Sequence, residues 1–225
     1  MSVLLHIDTA VVGASLCLSV NNEIIAFTEN EHTKDSARWI HVGIDELLNE
    51  ATRSPDELDA ISLSAGPGSY TGLRVGMAAA KGLCFALNIP LICISTLKMM
   101  AKAADEYAGL LCPMIDARRM EVFTALYDKN LNEIVSPQNL ILTLESFAEE
   151  LKNHKIVFFG NGSEKFASIQ ASPNAAFLDI KANAKHLVPL AYQLFIKKEF
   201  SDLAYTEPFY GKEFYSPAFS NQKNR

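Results

Sequence analysis

The chain has 225 residues and sets 20 Lys and Arg against 26 Asp and Glu, a formal net charge of −6. Hydrophobic residues make up 49% and charged residues 20%, which excludes a disordered or collagen-like chain and supplies a core that needs no disulfide or metal staple. The acidic balance argues against a protein that holds nucleic acid alone, because phosphate neutralisation needs a clustered basic face.

The first half opens with three short strands over residues 3–9, 14–20 and 23–28. Asn21-Asn22 joins the second to the third, a natural hairpin turn because Asn tolerates positive φ. The spacing of Ala37, Ile40, Ile44, Leu47 and Ala51 predicts a helix over 36–52 with one apolar stripe. A buried strand (60–65), a Gly-rich turn, a helix to Leu87, a strand (91–94) and a helix over 95–107 follow. The order is β-β-β-α-β-α-β-α, and its later alternation calls for parallel strands.

The second half begins the same way. His6-Ile7-Asp8-Thr9-Ala10 is echoed by Met114-Ile115-Asp116-Ala117-Arg118, about half the chain away. The strand over 14–20 is echoed by 121–127, and Asn22-Glu23-Ile24 by Asn132-Glu133-Ile134. A helix (145–152), a strand (155–160), a helix after Gly162 and a last helix over 186–200 continue the pattern. The reading is two similar α/β halves, 1–109 and 110–205, followed by a tail over 206–225.

The doubled order resembles the actin, sugar-kinase and Hsp70 class, an α/β fold of duplicated ribonuclease-H-like halves. In that class the carboxylates ending each half's first strand face the cleft and position metal-bound phosphate. Asp8 with Thr9, and Asp116, would stand there. Equally, each Asp can be an ordinary strand-end residue, the commonest place for that side chain.

Cys17, Cys84, Cys93 and Cys112 sit singly in apolar runs, which reads as buried reduced thiols. The five histidines form neither an i, i+4 pair nor H-E-x-x-H, so no helical zinc site is expected. Residues 1–10 lack a basic segment and hold Asp8 inside their apolar run, unlike a signal peptide. The longest uncharged stretch, 82–97, is interrupted by Asn88 and Pro90, which argues against a membrane span. These features point to a cytoplasmic protein.

The densest signal is Ser64-Ala65-Gly66-Pro67-Gly68-Ser69-Tyr70-Thr71-Gly72-Leu73-Arg74-Val75-Gly76, between a buried strand and a helix. Free N–H groups at such a helix start can bind an anion. The segment is not a Walker A loop, since Gly72 is followed by Leu73, and it fails G-x-G-x-x-G at Thr71. Phosphate binding and a structural turn both remain open. Gly72, Gly76 and Ala80 form a small-residue ridge, and each helical Gly costs about 1 kcal/mol relative to Ala. Close approach of another backbone would compensate, either the helix over 36–52 or a second subunit. Trp39, Val42 and Gly43 lie off that helix's core stripe, an aromatic beside a Gly notch suited to a protein contact or to burial in its own fold.

The run from Gly66 through Pro67, Gly68, Ser69, Tyr70 and Thr71 to Gly76 resembles the signature of the TsaB family, formerly YeaZ. The match extends to Ile7-Asp8-Thr9-Ala10, to Ile44-Asp45-Glu46-Leu47-Leu48 and to Asp116-Ala117-Arg118-Arg119-Met120-Glu121-Val122. The tail, Pro208-Phe209-Tyr210-Gly211, departs from the family's usual Pro-x-Tyr-x-Arg ending. The resemblance implies a subunit of the machinery that adds threonylcarbamoyl to the adenosine 3′ of the anticodon in tRNAs reading codons that start with A. It implies a TsaD-type catalytic paralogue as partner, a TsaE-type ATPase joining the pair, and tRNA met through the complex. No firmly bound cofactor is expected, with ATP or ADP held in the assembled complex. The paralogue's metal-binding H-x-x-x-H pair has no counterpart here, since His32 and His41 fall half a turn out of phase.

Three functions therefore stand. The first is a non-catalytic assembly subunit whose partner face is Trp39, Val42, Gly43, Gly72, Arg74, Gly76 and Ala80. The second is a stand-alone ATP-dependent small-molecule kinase, which would need a phosphate loop in each half. The turn Phe159-Gly160-Asn161-Gly162-Ser163 is the second-half candidate. The third is a homodimeric scaffold, with the same helices pairing when the chain is isolated.

Overall fold

A computed structural model describes residues 1–11, 13–30 and 36–211. His32 and the tail beyond Gly211 lie outside the described residues, as does the side chain of Ala37.

The strands β1 (Val3–Asp8), β2 (Ala14–Val20), β3 (Glu23–Asn30), β4 (Ala60–Ser64) and β5 (Leu91–Ile94) form one sheet, ordered β3-β2-β1-β4-β5. The second sheet comprises β6 (Leu110–Asp116), β7 (Glu121–Tyr127), β8 (Glu133–Ile141), β9 (Ile156–Phe159) and β10 (Ala175–Leu178). Its order, β10-β9-β6-β7-β8, repeats the first strand for strand. In both, the first strand pairs antiparallel with the second and parallel with the fourth. The duplicated ribonuclease-H-like fold expected from the sequence is present.

Every residue of β1 is buried, which explains its unbroken apolar run. Leu5 and Ile7 face α1 (Ser36–Glu50) and α2 (Tyr70–Leu87), which pack side by side on one face of the sheet. On α1 the stripe is Ile40, Ile44, Leu47 and Leu48, all buried. Ser69 caps α2 by accepting from Gly72 N–H at 3.2 Å, and Asn88 ends it in the left-handed region. The hairpin between β2 and β3 turns on Asn21 at φ 56°, as its side chain permits.

The opposite faces of the two sheets meet through exchanged helices. From the first half, α3 (Thr96–Lys102) packs on β6 and β7 of the second sheet, while α6 (Leu187–Lys197) returns to β4 and β5 of the first. Leu4, Ile92, Leu97, Met99, Leu111, Ile115, Phe159 and Leu187 thereby share one buried cluster. Truncating such a residue to Ala costs about 2–5 kcal/mol, and the cost falls on both halves together. On the far face of the second sheet, Phe147 at the start of α4 (Ala148–Asn153) and Phe166 of α5 (Ser163–Ala167) share a buried cluster with Phe158 of β9.

Several boundaries differ from expectation, with α4 beginning only at Ala148 and α6 ending already at Lys197. Helix α3 stops at Lys102, where Lys102 pairs with Asp105, and the chain turns through Gly109 at φ 116° against the Lys155 carbonyl. Strand β8 runs on to Ile141 by pairing with β7, despite Pro137. Four-residue β10 gave no alternation to read, and it exists because it pairs with β9.

Candidate functional site

The signature segment folds around the turn that follows β1. A Cβ at Gly68 would come closer than 3.0 Å to the Ala10 carbonyl, one at Gly72 to the Thr9 carbonyl, and one at Gly76 to the Thr9 hydroxyl. Ser69 N–H donates to Ala10 O at 2.8 Å, and Thr9 Oγ1 donates to Gly72 O at 2.8 Å. The compensation for two helical glycines is thus the chain's own Thr9–Ala10 turn. This corrects the expectation that α1 or a second subunit lies against the ridge. Ala80 is fully buried in the first half's core, in one cluster with Ile40 and Ile44 of α1, which keeps the α1 alternative at that position and leaves no room for a second subunit. Two N–H groups that an anion would use, those of Ser69 and Gly72, already have partners within the segment and the turn.

The paired strand-end carboxylates differ sharply. Asp8 is 2% exposed and accepts from the Ser64 hydroxyl and from Ala10 N–H at 3.0 Å. Burial pushes its carboxyl up, with the two hydrogen bonds opposing. The expectation that Asp8 and Thr9 face an open cleft is therefore corrected: both are buried beneath the signature segment. Asp116 is exposed, pairs with Lys165 and accepts from Arg118 N–H at 2.6 Å. Lys165 holds it below the usual carboxylate range, against a small burial effect. Gly162 packs on the end of β6 as Gly68 and Gly72 pack beyond β1, with Gly162 N–H donating to Met114 O at 3.0 Å. Among the described residues no group of three or more His, Cys, Asp and Glu could hold a metal ion.

On the outer side of the first half, α1 and α2 present a shared face. Trp39 is half-buried, and a Cβ at Gly43 would lie 3.1 Å from its ring. Trp39 itself fills the Gly43 notch, and Gly43 is buried, so that pair is an internal contact. Val42 is 49% exposed, and Arg74 is exposed too. Around them lies a shallow groove of about 360 Å³ lined by His41, Val75, Ala78, Ala79, Gly82 and Leu83. A Cβ at Gly82 would meet nothing within 4 Å, and Phe85, one turn on, is 81% exposed. The sequence reading missed Gly82 and Phe85. Their signal was available, because an uncharged row at Ala78, Gly82 and Phe85 faces away from α2's buried stripe.

A strap over residues 201–211 crosses α2 and the signature segment. Ser201 N–H donates to Leu91 O at 2.8 Å, and Phe209 N–H to Ala65 O at 2.8 Å. Lys81 Nζ donates to the carbonyls of Ala204 and Thr206 at 3.2 and 2.9 Å. Gly66, at φ 111°, lies so close beneath Phe209 that a Cβ there would overlap its carbonyl. Arg74 Nε donates to the Tyr210 hydroxyl at 3.1 Å.

Among the described residues no helix is long and apolar enough to cross a membrane. A family model described as TsaD, tRNA N6-adenosine threonylcarbamoyltransferase, matches residues 28–209. The tRNA threonylcarbamoyladenosine biosynthesis protein TsaB of Bacillus subtilis (strain 168) is 35% identical over 167 residues, 70% of either chain. TsaB of Haemophilus influenzae is 30% identical over 221 residues, 92% of either chain. YeaZ from Pseudomonas aeruginosa superposes with a TM-score of 0.80 at 25% identity, covering 93% of this chain and all of that one. The match spans the signature segment, both sheets and the strap, and with it the chain belongs to the TsaB family of tRNA threonylcarbamoyladenosine biosynthesis proteins.

Proposed function

We propose that this chain is a non-catalytic assembly subunit of the machinery that adds threonylcarbamoyl to the adenosine 3′ of the anticodon. Its partner is a TsaD-type catalytic paralogue, the TsaE-type ATPase joins that pair, and tRNA is met through the assembled complex in the cytoplasm. The observation that carries this reading is the outer row of α2, where Ala78, Gly82 and Phe85 are exposed with no charge among them, along a groove that His41 of α1 also lines. An uncharged face with a Gly notch and an exposed aromatic favours burial against another protein. In isolation the same face serves a homodimer.

The kinase reading has less support. Asp8, which would position metal-bound phosphate, is instead buried against Ser64, and Asp116 is occupied by Lys165. ATP or ADP belongs, on this proposal, to the assembled complex and is not held firmly by this chain. The net charge of −6 fits a subunit that supports a tRNA-modifying partner without gripping the polyanion itself.

The test is depletion of the protein in its own cell, followed by mass spectrometry of tRNA nucleosides. Threonylcarbamoyladenosine should fall, and an unchanged level would overturn the pathway role. The purified chain alone should neither hydrolyse ATP appreciably nor transfer a carbamoyl group; robust single-subunit turnover would overturn the non-catalytic role.

A further inference from the structure

The strap adds Tyr210 beside Tyr70 of α2, so that two aromatic rings lie against one side of a single cation of the α2 face. The Arg74 guanidinium carbon lies 4.3 Å from the centroid of the Tyr70 ring and 5.8 Å from that of Tyr210. The two rings are 5.1 Å apart, with 41° between their planes. The Tyr210 hydroxyl accepts from Nε, which fixes the orientation of the guanidinium as well as its position. No carboxylate among the described residues lies within ion-pair distance of Arg74, although Glu207 of the strap acts on it at longer range, and its two Nη groups meet no hydrogen-bond acceptor there.

The rest of α2 supplies Arg74 with no carboxylate partner. The helix contains no acidic residue and one other cation, Lys81, whose ammonium is engaged by the carbonyls of Ala204 and Thr206. Arg74 is thus the cation of α2 with a paired N–H edge left over, on the same helix as the uncharged row of Ala78, Gly82 and Phe85.

Resting on the assembly reading above, we propose that Tyr70 and Tyr210 hold Arg74 ready as a bidentate receiver for a carboxylate side chain of the catalytic paralogue. The C-terminal strap is then a positioning element for pairing. A free Arg side chain loses rotamer freedom when it docks; one already held by a ring and a hydroxyl has lost part of it on folding, so binding forfeits less. Tyr70 covers one guanidinium face and the Tyr210 hydroxyl takes Nε, which leaves the far edge, whose paired N–H groups match two carboxylate oxygens. A single carboxylate fits better than an RNA phosphate, because Asp45, Glu46 and Glu50 are exposed on neighbouring α1 and repel a polyanion.

The test is calorimetric titration of the full chain with the catalytic paralogue at low and high salt. Arg74→Ala should weaken pairing at least tenfold and flatten its salt dependence. Arg74→Lys should rescue little, since the fork geometry is lost. Tyr210→Ala should approach the Arg74→Ala loss and add nothing further in the Arg74→Ala background, whereas Tyr210→Phe should lose only part. Thermal melts of each variant confirm that the chain stays folded. Wild-type pairing with an unchanged Kd for Arg74→Ala would overturn this proposal and leave the assembly reading standing. Failure of the wild-type chain to pair would overturn both. A parallel titration with tRNA completes the test. If Arg74→Ala weakens tRNA binding and leaves pairing intact, the ligand is a phosphate and the proposal falls.

Discussion

Thr9 stands where any side chain at Gly76 would have to go, and its hydroxyl donates to the carbonyl of Gly72 one turn earlier. The signature glycines are therefore a seat for the β1–β2 turn. Substituting them tests the fold before it tests any interface.

Gly72→Ala should destabilise the chain and Gly82→Ala should stabilise it. At Gly72 the new Cβ would overlap the Thr9 backbone carbonyl, and overpacking costs about 1–3 kcal/mol, more than the helix gains. At Gly82 nothing lies within 4 Å, so only the helix-propensity gain of about 0.8–1 kcal/mol remains. Urea midpoints of the two variants should move in opposite directions.

Stability should fall on acidification partly through His6. Its ring bridges Ser62 and Ser19 at 2.7 Å each, and burial lowers its pKa from 6.5 to about 3. Between those values the unfolded chain binds a proton that the folded chain refuses. The contribution is full above pH 6.5 and declines toward pH 3, by at most about 1.4 kcal/mol per pH unit. Asp8 acts in the opposite sense, because its raised carboxyl keeps a proton in the folded chain above the ordinary value of 3.8. Comparing wild type with His6→Gln isolates the histidine. The variant's stability should depend less steeply on pH between 4 and 6.5, and parallel curves would refute the assignment.

Three cysteines should resist modification in the native chain. Cys17, Cys84 and Cys112 are buried, and burial pushes each thiol up to about 12. Little thiolate exists at neutral pH, and thiolate is the reactive form. Ellman's reagent at pH 8 should leave these three unlabelled until denaturant is added. Mass mapping of a labelled Cys112 in folded protein would contradict the packing.

Lys81→Met should loosen the strap without unfolding the core. The substitution removes both hydrogen bonds to the Ala204 and Thr206 carbonyls and keeps the apolar stem. Charge-assisted bonds contribute about 1.5–3 kcal/mol, so amide exchange over residues 204–210 should speed severalfold while β1 and β4 stay protected.

Much of the architecture was legible along the chain. Alternating apolar runs, the Asn21-Asn22 turn and the stripe of Ile40, Ile44 and Leu47 report local periodicity, which survives folding unchanged. The echo of Asp8 at Asp116 announced the duplication for the same reason. Short β10 escaped because a four-residue strand has no period to show, and its identity comes from pairing with β9.

The sequence by itself determined the duplicated α/β fold and the family, because both rest on motif order and spacing. It also marked the signature glycines as unusual, since a helical Gly is costly wherever it stands. Only the tertiary structure decided what those glycines face, because the filling atoms come from Thr9 and Ala10, far away along the chain. It likewise decided that Asp8 is sealed against Ser64, that Trp39 fills Gly43, and that Arg74 is held by the Tyr70 ring and the Tyr210 hydroxyl. The Asp8–Ser64 and Arg74–Tyr210 contacts depend on long-range packing, which residue type and spacing leave open, whereas Trp39 with Gly43 and Tyr70 with Arg74 are i, i+4 neighbours whose rotamers the fold selects. The acidic net charge keeps its first meaning, now joined by a specific cation on the face where a partner would dock.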